Sequence, residues 1–158
     1  MAHHEIGTRL FQNGDEEAFR LLNEEWITKY FELEEKDRYV LNHPSEVILE
    51  KGGAIVFVTL DGKPVGCCAL VTIVPDEYEV AKMGVTESAK GLGLGRRVLT
   101  AAIEEGRRKG AKRLYLETNH TLAPAIHLYE TLGFQHVPVE RLTPSPYVRA
   151  DVFMEMWL

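Results

Sequence analysis

Lys90-Gly91-Leu92-Gly93-Leu94-Gly95-Arg96 is the stretch whose residue types most directly imply chemistry. Glycine at every second position lets the backbone approach a ligand closely, so that main-chain N–H groups can point at an anion. A helix beginning at such a loop adds the partial positive charge of its N-terminus. Lys90, Arg96 and Arg97 add full charges beside it. The expected ligand is a phosphate or pyrophosphate. A Walker loop requires Gly-Lys-Ser/Thr at the helix start, whereas Gly95 is followed by Arg96-Arg97. A dinucleotide fingerprint requires Gly-x-Gly-x-x-Gly, and counting from Gly91 its third glycine falls on Arg96. Both spacings fail.

The loop needs elements to hold it. Upstream, residues 54–60, 65–74 and 78–85 are β-rich, and Asp61-Gly62 is a strong hairpin turn between the first two. They read as an antiparallel meander that delivers the chain into the loop. Downstream the period changes to helical. Leu94, Val98, Leu99, Ala102 and Ile103 share one face, and Arg96, Arg97, Glu104, Arg107 and Arg108 the other, with Gly110 as a stop. Residues 114–117 form a strand. Pro124 opens a second helix with Ala125, Ile126, Leu128, Tyr129 and Leu132 inward, ended by Gly133. Before the meander come a strand over 6–11, a cap at Asn13-Gly-Asp-Glu16, and a helix carrying Phe19, Leu22, Trp26, Ile27 and Tyr30. Helical stretches follow over 34–41 and around Val47, Ile48 and Leu49. Residues 134–139 and 152–158 finish the chain as β segments joined by a Pro-containing loop. The fold class is α/β (α+β): one domain over residues 1–158, with helices on the faces of a mixed sheet.

Composition narrows the function classes. The chain has 158 residues, enough for one sizeable core, with a net charge of −6. Nucleic-acid binders carry a basic footprint, so no nucleic-acid partner is expected. A negative body fits a cationic or amine-bearing substrate. The two cysteines, Cys67 and Cys68, are strand neighbours that point to opposite faces and do not bridge each other. Neither zinc spacing nor a disulfide framework is present, and the pair His3-His4 reads as incidental, so no metal is expected. No stretch reaches the ~20 apolar residues of a membrane span. A cytoplasmic protein without a membrane partner is the expectation, and a homodimer is compatible with the sequence.

One further loop pattern remains, Gln/Arg-x-x-Gly-x-Gly/Ala, which cradles the pyrophosphate of acyl-CoA. Lys90-x-x-Gly93-x-Gly95 matches it except at its first position. Together with Ala81-Lys-Met-Gly-Val85, Leu114-Tyr-Leu-Glu117 and Pro124-Ala-Ile-His-Leu-Tyr-Glu-Thr-Leu-Gly-Phe134, the sequence resembles the GNAT superfamily of N-acetyltransferases across about residues 54 to 135. The resemblance implies a GNAT-like domain, with a mostly antiparallel twisted sheet of about seven strands flanked by about four helices. It implies acetyl-CoA as co-substrate and transfer of its acetyl group to a primary amine of a small molecule or peptide, by direct attack in a ternary complex. The alternative is a non-catalytic acyl-CoA sensor module. By the same resemblance the backbone of Met83, Gly84 and Val85 holds the pantetheine arm, and Lys90, Gly91, Leu92, Gly93, Leu94, Gly95 and Arg96 cradle the pyrophosphate. Tyr129 matches the tyrosine that protonates the departing thiolate as general acid. Glu79 stands where some relatives place a general-base glutamate, and strand alternation puts it on the face of Met83. Many relatives carry Asn seven residues before the tyrosine. Here that residue is Leu122, and nearby Asn119 is the substitute candidate for the cofactor. His120 and His127 are weaker candidates for the base.

Acceptor choice in such proteins lies in the first helices and the last β-hairpin. These regions contain Trp26, Tyr30, Phe31, Arg38, Tyr39, Arg141, Tyr147 and Arg149. Arg149 is a candidate clamp for a substrate carboxylate, with a salt-bridged arginine as the alternative.

Overall fold

In the computed structural model, which describes residues 4–158, each run of alternating or helical periodicity becomes an element close to the expected place. The strands are β1 (Ile6–Leu10), β2 (Ala54–Leu60), β3 (Lys63–Val74), β4 (Glu77–Val85), β5 (Arg113–Thr118), β6 (Gln135–His136) and β7 (Val152–Trp157). They form one seven-stranded sheet in the order β1-β2-β3-β4-β5-β7-β6. Every neighbouring pair is antiparallel except β4–β5, which is parallel. Four α-helices flank it: α1 (Glu16–Tyr30), α2 (Glu35–Asn42), α3 (Leu94–Arg108) and α4 (Ala123–Thr131). No helix among the described residues is long and apolar enough to cross a membrane.

The alternation of β2 and β3 builds two cores. Ile55, Phe57, Cys67 and Ala69 face Phe19, Leu22 and Ile27 of α1 and Val40 and Leu41 of α2. Val56, Val58, Cys68 and Leu70 face Leu94, Val98, Leu99 and Ala102 of α3 and Tyr129 of α4. Burial of each large apolar side chain contributes about 1.5–3 kcal/mol, so both helical layers are fastened to the sheet. Cys67 and Cys68 lie in different cores and are free thiols, as their adjacency implies. The glycine stops also act as expected. Gly110 (φ 80°) and Gly133 (φ 110°) turn left-handed, letting Ala111 N–H bond Gly106 O and Phe134 N–H bond Tyr129 O.

Three expectations need correction. The helix around Val47 is a single five-residue π-type turn, Ser45–Leu49, opened by Pro44 and closed by Gly52 and Gly53. The strand over 134–139 shrinks to Gln135–His136 because Pro138 has no N–H for the ladder, although Val137 N–H still reaches Phe153 O. Glu79 and Met83 do not share a face. Ala69 pairs with Ala81 but Cys67 pairs with Gly84, so β4 carries one extra residue, and Lys82 takes up the bulge at φ 52°. The bulge reverses the alternation. Met83 and Val85 join Tyr78 and Val80 on the α3 side, while a Cβ on Gly84 would meet Trp26 of α1. Among the candidate metal ligands, His3 lies outside the described residues and His4 bonds Asp61.

A second irregularity makes room. β4 and β5 pair only at Glu77–Arg113, Tyr78–Leu114 and Glu79–Tyr115. Beyond Glu79 the strands separate, so the rest of β4 turns an unpaired edge towards β5.

Candidate active site

The glycine loop sits where β4 ends and α3 begins. Gly93 is the helix N-cap in a left-handed conformation (φ 71°, ψ 22°), and Gly91 is also left-handed (φ 88°). An added Cβ at either would meet nothing within 4 Å, so the loop faces open space. No side chain among the described residues caps α3, and the first intrahelical bond runs from Arg97 N–H to Gly93 O at 3.2 Å. The amides of Leu94, Gly95 and Arg96 are therefore left for water or an anion. Buried Leu94 anchors the loop in the core, while Leu92 and Arg96 stay exposed. Lys90 is turned aside: its ammonium pairs with Glu87 at 3.3 Å and lies over the Tyr30 ring.

The gap between β4 and β5 opens into a cavity whose lining includes Glu79, Ala81, Lys82, Met83, Glu117, Asn119, Leu122 and Tyr129. Tyr129 reaches it from α4. Its ring packs edge-on against Phe134 at 6.0 Å, and burial holds its hydroxyl pKa above the usual value. No side chain among the described residues hydrogen-bonds that hydroxyl, and burial keeps it protonated.

Glu79 enters from β4. Burial, and then the negative charge of Glu117, push its pKa up to about 7, against the partial opposition of Lys82 and Lys36. A carboxylate so placed can accept a proton at neutral pH. Glu117 is a residue that sequence reasoning missed. It accepts hydrogen bonds from Tyr115 Oη at 2.9 Å and from Ser145 Oγ at 2.5 Å. A signal was present: Leu114 and Leu116 are apolar, so alternation sends Tyr115 and Glu117 to the other face, and the Glu79–Tyr115 pairing makes that the face of Glu79.

Asn119 lines the cavity, but its amide is engaged. Nδ2 donates to Arg149 O at 2.7 Å, and Oδ1 accepts from Thr121 N at 2.9 Å and Thr121 Oγ1 at 2.6 Å. His127 is exposed on α4, and His120 is exposed and paired with Asp151. At the far end of α3 and the start of β5, Arg108 pairs with Glu105, and Arg113 with Glu77 and Glu155.

Trp26, Phe31, Tyr147 and Arg149 form the far wall. Arg149 already holds a carboxylate, that of the protein's own Asp37, through two bonds of 2.7 Å each. Glu34 approaches the same guanidinium at 3.3 Å. Lys82 Nζ meets Asp37 at 2.6 Å and Tyr147 Oη at 3.0 Å. Asp37 is fully buried. Burial alone would raise its pKa, but Arg149 and Lys82 hold it down at about 2. The salt-bridged alternative is therefore the one seen for Arg149. Tyr39 and Arg38 are exposed on α2 and Arg141 pairs with Glu155, so none of the three lines this wall.

Comparison with known proteins identifies the family and the fold. Residues 6–134 match the acetyltransferase (GNAT) family. The chain is 35% identical over 95 residues to the uncharacterized N-acetyltransferase YjgM of Escherichia coli, covering 58% of this chain and 57% of that one. It is 34% identical over 84 residues to the [ribosomal protein bS18]-alanine N-acetyltransferase of E. coli, covering 53% and 56%. The chain thus spans little more than half the length of these curated relatives. Among solved structures, a GNAT-family acetyltransferase from Staphylococcus aureus superposes with a TM-score of 0.84 at 17% identity, over 96% of this chain and 98% of that one. That likeness speaks for the fold. With an uncapped glycine loop, a splayed β4–β5 pair and a family match across most of its length, the chain belongs to the GNAT family of acetyltransferases.

Proposed function

We propose that this protein transfers the acetyl group of acetyl-CoA to a primary amine, by direct attack within a ternary complex. The observation that carries the reading is a base and an acid on one cavity: Glu79, poised near neutrality, and Tyr129, whose buried hydroxyl keeps its proton. The chain's own features fit the co-substrate. Leu94, Gly95 and Arg96 offer uncapped amides to its pyrophosphate, and the free edge of β4 over Met83, Gly84 and Val85 offers main-chain groups to its pantetheine arm. Acetyl-CoA supplies the acetyl group as an activated thioester. Glu79 takes the proton that an ammonium acceptor must lose, directly or through water, and Glu117 favours the cationic acceptor beside it. Tyr129 holds a proton for the sulfur of the leaving thiol. Asn119 serves by fixing the main chain of Arg149.

The likeness to bS18-alanine N-acetyltransferases supports a peptide amine among the acceptors. A non-catalytic acyl-CoA sensor would need a closed acceptor side, and the cavity here continues from the gap to Trp26 and Phe31. Thiol release from acetyl-CoA across a panel of amines tests the reading. Turnover with at least one amine is expected. Binding of acetyl-CoA without turnover on any amine favours the sensor, and no binding in calorimetry refutes both.

A further inference from the structure

The charges around the cavity are unevenly compensated, and this bears on which amines can enter. Four charged side chains line it: Glu79, Lys82, Glu117 and Arg149. The two cations are neutralised from behind. Lys82 and Arg149 share the Asp37 carboxylate, and Glu34 adds a second negative charge to Arg149. This cluster of two acids and two bases closes on itself. The Asp37 side chain is 0% exposed, Lys82 5% and Arg149 14%. The Tyr147 ring covers both cations, with its centroid 4.5 Å from Lys82 Nζ and 4.6 Å from Arg149 Cζ. The two cavity acids are not paired in this way: Lys82 and Lys36 oppose the charge of Glu79 only from a distance, without a bond to it. Glu117 is held only by the neutral hydroxyls of Tyr115 and Ser145, and no side chain among the described residues hydrogen-bonds Glu79. Among the charged side chains that line the cavity, the two left without a paired counter-ion are both carboxylates.

We propose that the acceptor is a primary amine whose neighbouring carboxyl is absent or tied up in an amide bond, and that Asp37 determines this specificity by occupying Lys82 and Arg149. The proposal rests on the acetyltransferase reading. A free amino acid carries its carboxylate on the carbon next to the amine. Placing the nitrogen near Glu79 therefore brings a third negative charge into a partly desolvated space, and like-charge juxtaposition there is strongly disfavoured. The same nitrogen on an amide, a peptide or a diamine brings no such charge. Asp37 is the switch, because removing its charge would leave Lys82 without a carboxylate partner and Arg149 with Glu34 alone, so that both face the acceptor less fully neutralised.

Alanine and alaninamide, which differ by one charge at nearly equal size, make the test. Values of kcat/KM are corrected for the different ionisation of the two amines. The wild type is expected to prefer alaninamide by roughly 30-fold or more, the factor for a close like-charge contact in a site of intermediate dielectric. Asp37→Asn keeps the shape and the bond to Glu34 N–H, and should shrink the preference about tenfold by leaving the cations less fully neutralised. Arg149→Gln and Lys82→Met remove a cation and should leave the preference as large or larger. They also provide the answer if Asp37→Asn does not fold. Equal use of alanine and alaninamide by the wild type overturns the proposal while leaving acetyl transfer intact. So does a parallel loss on both substrates in every variant, the mark of a purely structural role. No transfer to these or to any peptide or diamine refutes the acetyltransferase reading, and the inference with it.

Discussion

Glu79→Gln should make the protein more stable as it makes the enzyme slower, and the gain should depend on pH. The Glu79 carboxyl titrates in the folded chain at about 7, against 4.5 for an ordinary glutamate, because it is buried and faces Glu117. Below pH 4.5 it is protonated whether the chain is folded or not, and it contributes nothing. Between 4.5 and about 7 the unfolded chain releases the proton while the folded chain retains it, so stability falls as pH rises. Above about 7 the loss is complete. Each unit of difference corresponds to about 1.4 kcal/mol, which makes the full cost about 3 kcal/mol, reduced to ~2 kcal/mol by solvent on the cavity side. Glutamine, having no charge, escapes this cost. Urea unfolding of both proteins near pH 8 and near pH 5 is the assay. Glu79→Gln should be about 2 kcal/mol more stable at the higher pH and close to wild type at the lower. A variant that gains nothing at pH 8, or gains equally at both, would refute the account of Glu79 as a desolvated carboxylate. The same substitution should lower kcat/KM roughly 100-fold, the usual size of a lost general base.

Glu117→Gln removes the second cause of that upward shift, so the acid limb of the wild-type pH–rate profile should move below its midpoint of about 7, while an unchanged midpoint would assign the shift to burial alone. Tyr129→Phe removes a hydroxyl with no hydrogen-bonding side chain among the described residues. It should lower kcat about 10- to 100-fold, with thermal midpoint and acetyl-CoA affinity nearly constant; full kcat would remove the general-acid assignment. Gly84→Ala would place a Cβ 2.4 Å from Trp26 Cδ1, within the β4 segment assigned to pantetheine. It should cost about 1–3 kcal/mol in urea unfolding, as overpacking does, and weaken acetyl-CoA binding in calorimetry.

Much of the glycine-loop side of the candidate site was legible in the sequence, because it is local. The glycine loop, the α3 stripe and the strand entering them are contiguous in the chain, and their periodicities survive folding. The acceptor side was not, because its partners are far apart. Asp37 and Arg149 are separated by 112 residues and Lys82 and Tyr147 by 65, so no window contains either pair. Arg149 read alone looks like a substrate clamp; only the folded chain shows the carboxylate it already holds. The bulge at Lys82 was missed for a different reason. One inserted residue leaves no compositional trace in Glu77–Val85, since lysine is an ordinary residue at an unusual φ. Parity counting along β4 was therefore right up to Ala81 and wrong beyond it. Glu117 was readable from the alternation of Leu114 and Leu116, and its meeting with Glu79 across the gap needed the parallel pairing of β4 with β5.

The inserted residue in β4 also bears on how separately the two layers can be altered. A regular strand would present every second side chain to one layer throughout its length, so Glu79 and Met83 would pack in the same layer. With the phase reversed at Lys82, Glu79 belongs to the α1–α2 layer and Met83 and Val85 to the α3–α4 layer, only a few residues apart. A single strand thereby divides its side chains between two separately packed layers, so a change of side chain on one of them need not repack the other.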